Sequence, residues 1–191
     1  MAAINFPAAP ADGQVFTAAG ITYVWNAAKG LWLVAMNAPV VTAAAPTYDS
    51  LGTMLTDPNT GLAGLANTPA LITQGQQVFS RSFTAKNPAN PIDVFIQGSW
   101  GNAGTASWGT LALFIDGATN AVAQEQIVSN ANWNVPLIVH WQGVLAAGAH
   151  TFQVRFGCSG ATGYLNGTNN TPMGGGNQRT TMVIREQLVA P

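Results

Sequence analysis

The residues able to carry chemistry in this chain are few and far apart. A metal site needs His, Cys, Asp or Glu at ligand spacing. His140 and His150 stand ten residues apart, Cys158 follows eight residues later, and no carboxylate lies near them in sequence. They read as two strand histidines engaged in hydrogen bonds and one buried or merely incidental thiol, and a single cysteine excludes an intrachain disulfide framework. Glycoside hydrolysis requires a carboxylate pair, for which Asp93, Asp116 and Glu125 are available. Asp116 falls in an Asp-Gly turn, where its role is conformational, and Glu125 is read at an outward strand position. The run Gly174 to Gln178, "GGGNQ", lacks the Lys-Ser/Thr of a phosphate loop and reads as a turn. Asn166-Gly-Thr and Asn169-Asn-Thr match the glycosylation pattern, which carries weight only behind a secretory leader. The expectation is a protein without catalysis, metal or cofactor.

Tryptophan is the other unusual feature, six against three tyrosines. Trp100 and Trp108 flank a loop rich in Gly, Ser and Ala and are the candidates for an exposed sugar-binding platform. Trp133 and Trp141 fit a role inside the fold or at a subunit seam.

The elements that must position these residues are dominated by low charge. Only 7% of residues are charged, against roughly 25% in a typical soluble domain, and 48% are hydrophobic. No apolar run approaches the 18 or more residues of a spanning helix, so no membrane insertion is expected. The start, "MAAINFPAAPADGQ", does not read as a secretory signal. Six Lys and Arg are scattered singly at a net charge of −1, which argues against a nucleic-acid partner. A chain this neutral is expected to bury much of its surface in an assembly.

The apolar segments are short and bounded by Gly, Pro, Asn and Ser, the pattern of an all-β protein. Residues 1–36 are read as a small N-terminal three-stranded β-meander, with strands at Gln14 to Thr17, Ile21 to Trp25 and Leu31 to Val34. Three strands this short cannot bury Phe16, Tyr23, Trp25 and Trp32 between themselves. Residues 37–68 read as a linker and connector, extended over Asn37 to Pro46, with Asp49 available to cap a short helix around Leu51 to Leu55. Residues 69–191 read as a jelly-roll-like β-sandwich. Its strands are expected at Gln76 to Phe83, Ile92 to Trp100, Thr110 to Ile115, Ala121 to Val128, Leu137 to Leu145, His150 to Phe156, Gly163 to Asn166 and Thr180 to Val189. Alternation sends His150, Phe152, Val154 and Phe156 inward, and likewise Met182, Ile184 and Leu188, with Glu186 near the sheet's end or beside an arginine.

The stretch "INFPAAPADGQVFTAAGITYVWNAAKGLWLV" resembles a module at the starts of tailed-bacteriophage virion proteins. The resemblance is carried by Phe6-Pro7, Asp12-Gly13-Gln14, Phe16, Gly20, Tyr23, Trp25, Gly30 and Trp32. The segment "LAAGAHTFQVRFGCSGATGYLNGTNN" with the final "TTMVIREQL" is similar to the last strands of trimeric jelly rolls in phage fibres and decoration proteins. The resemblance implies a non-enzymatic virion component, assembled in the bacterial host cytoplasm. It would be a homotrimer bound to the major capsid protein or other virion structural proteins through Phe16, Tyr23, Trp25 and Trp32. Capsid decoration or a head fibre is the first expectation. A short tail fibre that binds a host surface glycan is the alternative.

Overall fold

The computed structural model describes residues 5–18, 21–34, 44–57 and 69–188. The chain divides into two compact units, Met1–Val41 and Thr42–Ala190.

In the first unit, β1 (Val15–Ala18), β2 (Ile21–Asn26) and β3 (Leu31–Val34) form an antiparallel meander in the order β1-β2-β3. The Asp12-Gly13-Gln14 motif builds its entrance. The Asp12 carboxylate accepts from the Ala27 N–H at 2.8 Å, and Gly13, at φ +77°, lets its own N–H reach the Trp25 carbonyl at 2.9 Å. Gly30, at φ +62°, closes the β2–β3 turn, as the hairpin reading required. Gly20, the corresponding residue of the first hairpin, lies outside the described residues.

The second unit is an all-β sandwich. Its first sheet contains β4 (Thr47–Leu51), β5 (Leu55–Asp57), β7 (Pro91–Asn102), β10 (Asn134–Val144), β12 (Gly163–Leu165) and β15 (Thr180–Glu186). Its second contains β6 (Gln76–Ala85), β11 (Gly148–Ser159), β8 (Ser107–Ile115) and β9 (Ala123–Ser129), in the order β6-β11-β8-β9. A small hairpin, β13 (Gly167–Thr168) with β14 (Thr171–Pro172), lies between β12 and β15. The antiparallel pairs are nested along the chain: β4 with β15, β6 with β11, β7 with β10 and β8 with β9. A long folded ribbon of this kind, rolled so that its pairs alternate between two sheets, is the jelly-roll arrangement.

β7 organises the first sheet. One flank pairs with β10 along its length, while the other is shared, β15 covering Ile92 to Gln97 and β12 covering Trp100 to Asn102. Asn166 sits at the changeover, donating its N–H to the Ser99 carbonyl at 2.7 Å. Period-two alternation sends Ile92, Val94, Ile96 and Trp100 of β7, Leu137 and Val139 of β10, and Met182 and Ile184 of β15 into one core. There they meet Leu111, Leu113, Phe152, Val154 and Phe156 of the facing sheet. Each large side chain fully buried here contributes roughly 1.5–3 kcal/mol.

Three readings of local structure are corrected. Residues 47–57, taken as part of a connector with a short helix, contain β4 and β5 instead. Tyr48 and Ser50 pair with Val183 and Thr181, and Asp49 binds Arg81 at 2.9 Å rather than capping a helix. Cross-strand pairing, invisible in so short a segment, overrides local propensity here. Leu188 is 59% exposed beyond the end of β15, not inward. Glu125 opposes Leu111 and so shares the inward face with Ile127, which packs against the core. An inward-pointing charge on an edge strand such as β9 discourages further strands from pairing there. Most of the Asn37 to Pro46 linker lies outside the described residues, and no helix among those described is long and apolar enough to cross a membrane.

Candidate attachment and assembly surfaces

The meander has two unlike faces. On one, Phe16, Tyr23 and Trp32 gather around Phe6, from the segment before β1, and Trp25 lies against Trp32. The Phe6 ring stacks on Trp32 (5.4 Å between centroids, 16° between planes) and meets Tyr23 edge-on at 5.0 Å, with Phe16 at 5.5 Å. Trp25 and Trp32 are cross-strand partners at 5.6 Å. Phe6 supplies the cover that three strands could not provide for themselves; Tyr23 is buried and Phe16, Trp25 and Trp32 are half-buried. The other face carries the cross-strand row Val15, Val24 and Leu33 beside Leu31. Val15 is 61% exposed, and Leu31 and Leu33 are also exposed. Exposed aliphatic side chains also border the aromatic face, Val34 opposite Tyr23 and Ile21 two residues before it, so the open apolar surface of this unit is aliphatic on both sides.

The outer face of the six-stranded sheet is the second surface. Strand register aligns Tyr48, Val183, Phe95 and His140 in one row across β4, β15, β7 and β10, and Ser50, Thr181, Gln97 and Ile138 in the next. Tyr48 is 67% exposed. At the edge of this apolar row, buried Asp93 accepts from His140 Nε2 at 2.6 Å and from Arg185 at 3.2 Å.

The two tryptophans proposed for sugar binding separate. Trp100 has no exposed surface: its ring lies 6.2 Å from Phe156, and a Cβ on Gly109 would fall 2.2 Å from the indole. Gly109 is thus a glycine because the Trp100 ring occupies the space of its side chain. A ring so enclosed offers no platform, and Trp100 is corrected to a core residue. The inward alternation of Ile92, Val94 and Ile96 was the sequence signal for this. Trp108 stands opposite Val128 and is 38% exposed. Trp133, which follows β9, is exposed further still.

The titratable groups are held apart in separate tasks. Asp116 (φ +54°) and Gly117 (φ +71°) form the β8–β9 turn, closed by the Ala118 N–H on the Ile115 carbonyl. The Asp116 carboxylate accepts from His150 Nδ1 at 2.7 Å and from the Thr151 N–H at 2.8 Å, while His150 Nε2 reaches the Ala146 carbonyl. Partial burial pushes the Asp116 carboxyl up, but the bonds from His150 and Thr151 outweigh it and hold it below its ordinary range. The same bond to Asp116, with that to Ala146, raises His150 against the opposing effect of burial. Glu186 lies at the end of β15, the first of the two places expected for it, and forms no ion pair among the described residues. Its carboxylate accepts from the N–H groups of Ala44, Lys86 and Asn87 and from the Asn90 amide. Burial alone would raise it; those donors bring it below the usual carboxylate value. Cys158 is buried, its N–H on an Asp57 carboxylate oxygen at 2.9 Å. No cluster of three or more His, Cys, Asp or Glu suited to a metal occurs among the described residues.

No protein-family model and no curated protein matches the chain. Solved structures similar to it include that of infectious bursal disease virus Gx strain, at 8% identity and a TM-score of 0.35, covering 84% of this chain and 41% of that one. The structure of the Gt strain of the same virus matches at 12% identity and a TM-score of 0.23, covering 93% of this chain and 44% of that one. The chain spans less than half the length of these structures. Likeness at this level carries no functional argument, and the sandwich assignment rests on the strand ladder itself.

Proposed function

We propose that this protein is a non-enzymatic virion component of a tailed bacteriophage, a capsid decoration or head-fibre protein. Its N-terminal unit docks on the particle and its jelly roll is displayed as a homotrimer. The observation that supports docking is the meander's aliphatic row, in which exposed Val15, Leu33 and Leu31 flank half-buried Val24, in a unit whose aromatic side is partly covered by Phe6. Apolar rows of this kind mark contact surfaces, here with the major capsid protein or another virion protein. Trimer formation is assigned to the outer face of the six-stranded sheet near the C-terminus, centred on Tyr48, Val183 and Phe95.

The test separates docking from folding. Val15→Asp combined with Leu33→Asp should leave the aromatic cluster and its near-ultraviolet circular dichroism intact while abolishing co-sedimentation with particles. Deleting Met1 to Met36 should likewise abolish co-sedimentation and leave a trimer by light scattering. Normal particle occupancy of either variant defeats the attachment reading, and a monodisperse monomer defeats the trimer.

A second reading, a short tail-fibre protein whose jelly roll binds a host surface glycan, draws on the exposure of Trp108 and Trp133. Glycan-array binding lost in Trp108→Ala would favour it.

A further inference from the structure

One end of the sandwich is closed by the loop after β7, the turn between β9 and β10, the loop after β11 and the β13–β14 hairpin, and Asn102 at the end of β7 knits them together. Its side-chain amide donates to the Ser129 carbonyl at 2.8 Å and its backbone carbonyl accepts from Thr168 Oγ1 at 3.2 Å, while the next residue, Ala103, donates its N–H to the Thr162 carbonyl. A Cβ on Gly101 would stand 2.6 Å from Thr168 Cβ and 2.7 Å from the Trp133 carbonyl oxygen, so the hairpin and the β9–β10 turn meet over one glycine. Trp133 is the exposed ring of this end. Its backbone is fixed on both sides: its N–H donates to the Asn130 carbonyl at 3.1 Å, its carbonyl accepts from Ser129 Oγ at 2.7 Å, and Asn132 before it is left-handed at φ +62°. Trp133 is nevertheless 63% exposed, and its ring belongs to none of the aromatic pairs among the described residues. A large apolar ring left in water marks a contact surface, and a backbone already held in place lowers the entropy lost on binding. The surroundings decide what the ring can contact. Between Asp93 and Asp116, between Glu125 and Arg155, and between Arg155 and Arg179 the sequence has no Asp, Glu, Lys or Arg, so these four segments carry no formal charge. The two that meet over Gly101 expose Asn130, Asn132, Asn169, Asn170 and Thr171 together with Trp133.

We infer that this end of the jelly roll binds a neutral sugar ring of a surface polysaccharide, with Trp133 as the platform. The site rests on the glycan-binding reading above and gives it a location and a ligand class. The C–H face of a pyranose is flat and apolar and lies on an indole. Its hydroxyls both donate and accept, as do the amides and the threonine hydroxyl beside the ring. A glycan bearing carboxylate or phosphate would find no cation in these segments to pair its charge. A protein partner would call for an extended apolar core to the contact, whereas here one ring stands among amides. Trp108 faces the other way from Gly109, on the outer side of the four-stranded sheet opposite Val128, and is not the platform.

An array of bacterial surface polysaccharides, neutral and acidic, probed with the labelled full chain, tests it. Binding should be confined to neutral glycans. Trp133→Ala should weaken that binding at least about tenfold, and Trp133→Phe, which keeps a ring face, should weaken it less than about threefold. Trp108→Ala should change it by less than about threefold. Because the Trp133 ring is exposed, Trp133→Ala should leave Tm and the mass by light scattering unchanged. Binding lost in Trp108→Ala but kept in Trp133→Ala overturns this site and leaves the glycan reading standing, whereas binding to no glycan on the array overturns both. Acidic glycans bound as well as neutral ones overturn the ligand class. A changed oligomeric state in Trp133→Ala overturns the site as well, since the ring is then a contact between copies of the chain.

Discussion

The Thr180 hydroxyl donates to Asn166 Oδ1 at 2.9 Å, where the two short strands that share one flank of β7 meet. Asn166 also donates from Nδ2 to the carbonyls of Leu51 and Thr53 at 3.1 and 3.2 Å, so one buried amide ties β4, β12 and β15 together. Its backbone is left-handed at φ +61°, a conformation that asparagine tolerates better than most residues. Asn166→Ala should therefore destabilise the jelly roll by about 3 kcal/mol or more, from lost bonds, orphaned carbonyls and backbone strain together. Urea unfolding followed by circular dichroism measures this. A change under about 1 kcal/mol would show that the joint is not structural.

Glu186 should set an acid limit on stability. Its folded-state pKa lies below the ordinary value of 4.5, so its contribution is present above that pH and is lost as pH falls through the lowered value. Glu186→Gln keeps the shape but places an amide donor among N–H donors. It should cost about 2–3 kcal/mol at pH 7 and flatten the decline in stability below pH 4.5, read from urea midpoints across pH.

The Asp116–His150 pair predicts the opposite limb as well. His150 is raised above 6.5, so its contribution is full below that pH and is lost as pH rises through the raised value. Asp116 is lowered from 3.8, so its contribution is full above that pH and is lost as pH falls through the lowered value. The pair should be most stabilising between 3.8 and 6.5. His150→Gln should remove the alkaline decline attributable to this pair, and unfolding midpoints from pH 5 to pH 9 would reveal it.

Trp100→Ala should cost about 3–5 kcal/mol, as large aromatic truncations in packed cores do. Trp108→Ala should cost no more than about 1 kcal/mol. Equal losses in thermal unfolding would contradict the burial difference between the two rings.

Phe6→Ala should open the meander's aromatic cluster. Tyr23 and Trp32 lose the ring packed between them, so tryptophan emission should shift to the red while the jelly roll unfolds at an unchanged urea concentration. No change in emission would mean that the strands hold the cluster without Phe6.

The sequence by itself determined the all-β class, the three meander strands to within a residue or two, and most of the sandwich strands. Those features depend on period-two alternation and on Gly and Asn turns, which act over a few residues. It also determined that Asp116 is a turn residue and that Phe152, Val154, Phe156, Met182 and Ile184 point inward. Only the tertiary structure decided that Thr47–Leu51 and Leu55–Asp57 are strands, because their hydrogen bonds are made to β15 and β12, more than a hundred residues away. The same holds for Glu186, whose donors come from residues 44, 86, 87 and 90. Phe6 as the cover of the meander, and Trp100 as a buried ring rather than a sugar platform, are likewise matters of which surfaces meet. Local pattern fixes which way a side chain points from its own strand; what it then touches is settled by long-range pairing.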